Sequence, residues 1–180
     1  DDLDEVLALI RAAEETSPEP LVTTREDLMR EFDEPTRDLA ADTLAVVSGG
    51  GELMAYVMTS LHPEPVRRRS LQISGRVHPC HRGNGLGTEL VSWAIRRGRE
   101  RLGSHDDGLP KELRTYLYES DTAARAIYEA HGLEVDRYFV EMERDLSEPI
   151  DPAPLPPSLE LRTWSRDLDE AVRRAHNESF

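Results

Sequence analysis

The sequence predicts an α+β domain with a mixed, mostly antiparallel central sheet flanked by helices and one β–α–β crossover. Three observations predict this class. Apolar residues first recur at helical spacing, and the period then changes to strand-like runs broken by a glycine turn. Further on, a long amphipathic stretch stands between two strand-like runs, as a crossover joining parallel strands requires.

From Asp1 to about Glu15, Leu3, Val6, Leu7, Ile10 and Ala13 mark one helical face. Asp1 and Asp2 complement the positive end of that helix, and Ser17-Pro18-Glu19-Pro20 ends it. A second helix is expected from Arg25 to Phe32, and a short one after Pro35. Thr43–Val47, Leu53–Leu61 and Leu71–Val77 then read as strands, the first two joined as a hairpin by Ser48-Gly49-Gly50-Gly51. Gly85 to about Leu102 returns to helical spacing, with Leu86, Leu90 and Ala94 on one face, and Glu89, Arg96 and Glu100 on the other. Leu113–Tyr118 alternates as a strand, and Ala123–His131 is a short helix stopped by Gly132. Two last strands are expected near Leu133–Val135 and Tyr138–Met142.

Composition limits the partners. A chain of 180 residues holds one full domain and a remnant, and 38% hydrophobic residues supply an ordinary core. No stretch approaches the ~20 consecutive apolar residues of a membrane span. The acidic start (Asp2, Asp4, Glu5) is unlike a signal peptide. Cys80 is the single cysteine, so an intrachain disulfide is excluded and a reducing compartment, the cytoplasm, is expected. A net charge of −14 disfavours nucleic acid and suits a cationic amine substrate. The arginine runs Arg67-Arg68-Arg69 and Arg96-Arg97 with Arg99 and Arg101 read as a solvated loop and a solvated helix face.

Beyond Glu148 the composition shifts. Pro149, Pro152, Pro154, Pro156 and Pro157 make a stiff, extended linker over residues 149–157. Leu159 and Leu161 then alternate as a strand, and Asp167-Leu168-Asp169-Glu170 opens another amphipathic helix. The same tetrapeptide, Asp2-Leu3-Asp4-Glu5, opens the first helix. An internal repeat at this offset reads as two copies of one fold. The first domain would then cover residues 1–148 without its opening strand, and residues 158–180 would be the first strand and helix of a truncated second copy. The half-repeat also reads as an oligomerisation arm, which would make the chain a homodimer.

The chemistry lies in Val77-His78-Pro79-Cys80-His81-Arg82-Gly83-Asn84-Gly85-Leu86-Gly87-Thr88, between a strand and a helix. Alternate glycines let the backbone turn tightly and bring N–H groups close to a ligand. The first turn of the helix adds unpaired donors and the positive end of its dipole. Together these make a phosphate-type anion site. No Lys-Ser or Lys-Thr follows the last glycine, so the segment is not a P-loop, and the glycine spacing also fails the dinucleotide fingerprint.

Arg82-x-x-Gly85-x-Gly87, preceded by Val77-x-Pro79, resembles the signature of the GCN5-related N-acetyltransferases, the GNAT superfamily. Asp121-x-x-Ala124-x-x-Ile127-Tyr128-Glu129-Ala130-His131-Gly132-Leu133 is similar to a second stretch of that family, in the family's order. The resemblance covers nearly all of residues 1–146. It implies a GNAT-like sheet and acetyl-CoA as co-substrate, with no metal. The amides of Gly83, Asn84, Gly85, Gly87 and Thr88, with Arg82 and Leu86 in the same loop, would hold the pyrophosphate. The strand before the loop would splay from its neighbour to admit the pantetheine arm. Val77 N–H would face the thioester carbonyl as an oxyanion donor, and Tyr128 would protonate the departing thiolate. The acceptor implied is the amine of a small molecule, attacking the thioester directly. A second GNAT-like domain in the same chain resembles the tandem, mycothiol synthase-like acetyltransferases. In that setting this half could instead bind CoA without catalysing transfer.

Three features stand outside the family pattern. Asp121 replaces the usual asparagine, and its side chain is expected to cap the following helix. The strand Leu71-Gln72-Ile73-Ser74-Gly75-Arg76 contains no carboxylate to deprotonate the amine, and Glu26, Glu31 and Asp33 read as surface acids. His78, Cys80 and His81 lack the further ligands a metal site needs, and His105 and His131 are isolated.

Overall fold

The change of period along the sequence becomes a change of element. A computed structural model describes residues 2–16, 22–33, 37–63, 65 and 67–179. Asp1, the Ser17-Pro18-Glu19-Pro20 stop and Pro35 lie outside the described residues. The chain divides into two units, residues 1–137 and 138–180.

In the first unit, helices α1 (Asp2–Thr16), α2 (Arg25–Phe32) and the one-turn α3 (Leu39–Asp42) precede the sheet. Thr24 starts α2 with a capping box, its hydroxyl accepting from Asp27 N–H while the Asp27 carboxylate accepts from Thr24 N–H. Strands β1 (Thr43–Val47), β2 (Leu53–Leu61), β3 (Arg69–Val77) and β4 (Lys111–Arg114) lie side by side in that order. β1, β2 and β3 are antiparallel, whereas β4 is parallel to β3 and reached through α4 (Leu86–Gly103). Helix α5 (Thr122–Ala130) follows β4. The β1–β2 turn closes where expected: Ser48 exchanges backbone bonds with Glu52 and Gly51, and Gly51 takes a positive φ of 88°.

Strand alternation sends the two faces of β2 into two cores. Ala55 and Val57 join Leu71 and Ile73 of β3 under Leu90, Val91, Ala94, Ile95 and Leu102 of α4. Tyr56, between them, joins Val6, Leu7, Leu9, Ile10 and Leu28 of α1 and α2. The α+β class with a helix-flanked, mostly antiparallel sheet is therefore the observed one. At Gly75 the strands pack backbone to backbone: a Cβ there would lie 2.5 Å from the Tyr56 carbonyl oxygen. Among the described residues no helix is long and apolar enough to cross a membrane.

Several expectations are corrected. β4 ends at Arg114, short of Tyr118, and Tyr116, Leu117 and Tyr118 remain exposed. No strand forms over Leu133–Val135 or Tyr138–Met142, where Val135, Tyr138, Phe139, Val140 and Met142 are exposed. Apolar alternation records a preference for extended backbone, but a strand also needs a ladder, and none forms here among the described residues. The second unit has no helix or strand, only isolated turns, up to a 3-10 turn at Arg166–Leu168 and helix α6 (Asp169–Ser179), so Leu159 and Leu161 form no strand either.

The arginine runs are not simply solvated. Arg97 Nε lies 2.9 Å from the Asp42 carboxylate, which is 2% exposed as a residue, and Arg101 lies 3.4 Å from its other oxygen. Burial of a carboxylate demands such partners. Arg69 likewise pairs with Asp107, and Arg68 with Glu112 at 2.7 Å. Arg96 and Arg99 are exposed as expected.

Candidate functional site

The loop after β3 begins with a single 3-10 turn, Pro79–His81, and ends at Gly85, the N-cap of α4. Gly83 and Gly85 hold positive φ of 79° and 81°, a conformation open mainly to glycine. The side chains brace the loop from outside: His78 Nδ1 accepts from Cys80 N–H, Asn84 Nδ2 donates to His81 O, and Arg82 Nε donates to Val77 O. The first helical bond of α4 runs from Glu89 N–H to Gly85 O. The amides of Gly83, Asn84, Gly85, Leu86, Gly87 and Thr88 consequently have no acceptor among the described residues. Six N–H groups without an acceptor at a helix N-terminus, with Arg82 alongside, form an arrangement suited to an anion in a chain of net charge −14.

Val77 stands at the entrance to this loop, paired with Ala55 of β2. His78 N–H bonds Met54 O and His62 N–H bonds Ser70 O, which fixes the parity of the ladder. Even-numbered residues of β3 turn their backbone groups to β2, and odd-numbered residues, Gly75 and Val77 included, turn theirs to the opposite side. On that side the parallel ladder with β4 stops at Gln72 and Arg114, while β3 runs on to Val77. Beyond Gln72 no ladder joins the two strands. Val77 N–H points to that unpaired side of β3, the opening past the end of β4.

Tyr128 sits on α5 and packs half-buried against the α4 core. Burial pushes its phenol above the ordinary tyrosine range, opposed by a hydrogen bond with the Thr115 side chain and by the Arg76 charge. Its neighbour Ile127 closes over the loop: a Cβ at Gly87 would lie 3.1 Å from Ile127 Cδ1 and 3.9 Å from Val77 Cγ2. Gly87 thus brings together Val77, the anion loop and the helix carrying Tyr128. Asp121 is the N-cap residue of α5, but its side chain makes no capping bond, correcting the expected role.

The candidate acids lie apart from this constellation. Glu26 and Asp33 are exposed, and Glu31 pairs with Arg37 at 3.5 Å. On the α1–α2 face of the sheet, burial lifts the Tyr56 phenol to about 12, with the Glu31 and Glu14 charges adding and Arg76 opposing. A shallow cleft of about 340 Å³ opens between Glu5, Ala8 and Leu9 of α1, Gly51–Leu53 and His78. It approaches the loop only through His78. Among the described residues no group of three or more His, Cys, Asp or Glu is placed to hold a metal ion.

Two partners of the site escaped sequence reasoning. Thr115 follows β4 without any motif, and His131 engages Ser92, 39 residues away in sequence. No spacing rule reaches across that distance.

Comparison with known proteins gives a consistent set. Residues 7–133 match the profile described as acetyltransferase (GNAT) family. A mycothiol acetyltransferase of Saccharomonospora viridis is 31% identical over 98% of this chain and 53% of its own length. Another, from Streptomyces coelicolor, is 29% identical over 97% of this chain and 51% of its own. The chain thus spans about half the length of these curated relatives. Among solved structures, a GCN5-related N-acetyltransferase from Sphaerobacter thermophilus superposes with a TM-score of 0.60 at 29% identity, covering 73% of this chain and 40% of that one.

Proposed function

The chain belongs to the acetyltransferase (GNAT) family, and on that premise we propose that it binds acetyl-CoA at residues 82–88 and transfers the acetyl group to a small-molecule amine. The end of the β3–β4 ladder short of Val77, beside six amides without an acceptor, is the observation that carries the reading. It offers a slot for an extended arm next to a seat for a pyrophosphate.

The residues of this chain divide the work. The amides of Gly83, Asn84, Gly85, Leu86, Gly87 and Thr88 hold the pyrophosphate, and Arg82 adds charge while tying the loop to Val77. Acetyl-CoA supplies an acetyl group activated as a thioester. As the amine nitrogen bonds the acyl carbon and the C–S bond breaks, Val77 N–H donates to the carbonyl oxygen on which charge builds. Tyr128, protonated at neutral pH as an ordinary phenol and more so for its burial, gives its proton to the departing thiolate. The amine attacks in its neutral form, and the proton its nitrogen sheds as the amide forms goes to water, because β3 offers no carboxylate.

The relatives' name makes a mycothiol-related small molecule the first acceptor to test. Their length favours a tandem arrangement, with residues 1–148 as one acetyltransferase domain, 149–157 as linker and 158–180 beginning a second. That observation also supports a second reading, in which this half binds CoA and another domain catalyses. The free Cys80 suits the cytoplasm.

Calorimetric titration with acetyl-CoA tests the loop, with stoichiometric binding expected; folded protein that takes up none would sink the proposal. A panel of small amines with acetyl-CoA then separates enzyme from binder. Tyr128→Phe should leave binding within twofold and lower turnover by about a hundredfold, the usual span of a lost general acid.

A further inference from the structure

We infer that His131, acting through Ser92, is a positioning residue that fixes helix α5, and with it Tyr128, against α4. The inference rests on the reading of Tyr128 given above and adds the means by which that side chain is held.

Helix α5 needs such a device. It has nine residues, none fully buried, and its N-cap side chain makes no bond. A helix this short is marginal by itself and takes its orientation from whatever it packs against. Besides the packing of Tyr128 itself on the α4 core, two contacts hold that orientation. Ile127 lies over Gly87 at the first turn of α4, and His131 closes the other end.

The imidazole uses both nitrogens. Nδ1 is 2.8 Å from Ile127 O, and a carbonyl only accepts, so Nδ1 carries hydrogen. In the neutral ring Nε2 then accepts from the Ser92 hydroxyl, 2.7 Å away. One ring therefore joins the carbonyl of the residue next to Tyr128 to the flank of α4. The His131 backbone adds its N–H to Tyr128 O at 3.0 Å. With one of the two contacts removed, α5 keeps only the other and the packing of its apolar side chains, and can shift on α4. Tyr128, between Ile127 and His131 in sequence, would swing away from Thr115 and the mouth of the β3–β4 opening.

The test uses the whole chain labelled with ¹³C at the tyrosine ring, the Tyr128 resonance being assigned from Tyr128→Phe. His131→Ala and Ser92→Ala should each displace that resonance. The double variant should move it no further, because both act on one bridge. His131→Gln, which still reaches Ser92, should return it most of the way. With an acceptor from the amine panel, His131→Ala should lower kcat about tenfold, as small misplacements of a reacting group do, with the KM for acetyl-CoA within twofold. In a Tyr128→Phe background the same change should cost nothing. An unmoved Tyr128 resonance in folded His131→Ala, or additive displacements from the two sites, would overturn the inference. If His131→Ala does not fold, Ser92→Ala, which removes one hydroxyl, decides the matter by the same resonance. Wild-type turnover in Tyr128→Phe would remove the acid role of Tyr128 alone, leaving its placement judged by the resonance.

Discussion

A phenol that donates a proton at neutral pH must still hold one; the ordinary tyrosine value of 10.0 already ensures this for Tyr128, and burial moves it further in the same direction. Thr115 opposes burial by favouring the ionised form, so Thr115→Val should raise the Tyr128 titration midpoint further. Tyrosine ¹³C titration checks the direction, and a lowered midpoint would contradict the contact. Tyr56 makes a stability prediction from the same physics. Its folded value, about 12, stands above the ordinary value of 10.0, so the folded state keeps a proton that the unfolded chain sheds. The stabilisation is complete below pH 10.0 and is lost as pH rises towards about 12. Unfolding free energies between these limits should fall more steeply for the wild type than for Tyr56→Phe, by about 2 kcal/mol in all.

At the scale of elements, Gly75 fixes how closely β3 approaches β2. Gly75→Ala would drive a methyl group against the Tyr56 carbonyl and to 3.0 Å from Val57 Cα, both backbone atoms unable to step aside. A loss of about 2 kcal/mol, read as a lower denaturation midpoint, is the expected outcome. The sequence displays such elements unevenly. Helices α1 and α4 are legible because Leu3, Val6, Leu7 and Ile10, or Leu86, Leu90 and Ala94, carry their period locally. The loop is legible because Gly83 and Gly85 must take positive φ, which few other residues tolerate. Pairings between distant residues leave no such trace. Tyr138–Met142 has strand composition and no ladder. Arg97 and Arg101 look like a charged helix face until Asp42 is seen beneath them. Ser92 and His131 share nothing along the chain that announces their contact.

Over the whole molecule, charge and organisation separate. The chain carries −14, yet the loop proposed to hold the pyrophosphate places Arg82 beside a helix N-terminus, so the attraction it offers an anion is local rather than global. Residues 138–165 contain neither helix nor strand, whereas residues 1–137 hold the sheet and both cores. Limited proteolysis of the intact chain should therefore cut first within 138–165. It should leave an N-terminal fragment with undiminished affinity for acetyl-CoA. Early cuts inside α4, or a fragment without affinity, would contradict this division.

The opening between β3 and β4 has a consequence for how the sequence can vary. Whether a backbone donor faces β2 or the opening depends only on whether its position is odd or even. Deleting or inserting one residue between Gln72 and Val77 would hand the Val77 N–H to β2 and turn a carbonyl-bearing neighbour out of register. The length of this segment is thus counted in twos: pairs of residues could be gained or lost with the donor still facing outward, single ones could not. The Ser48–Gly51 turn, which joins β1 to β2, carries no such arithmetic, and changes of length should collect there.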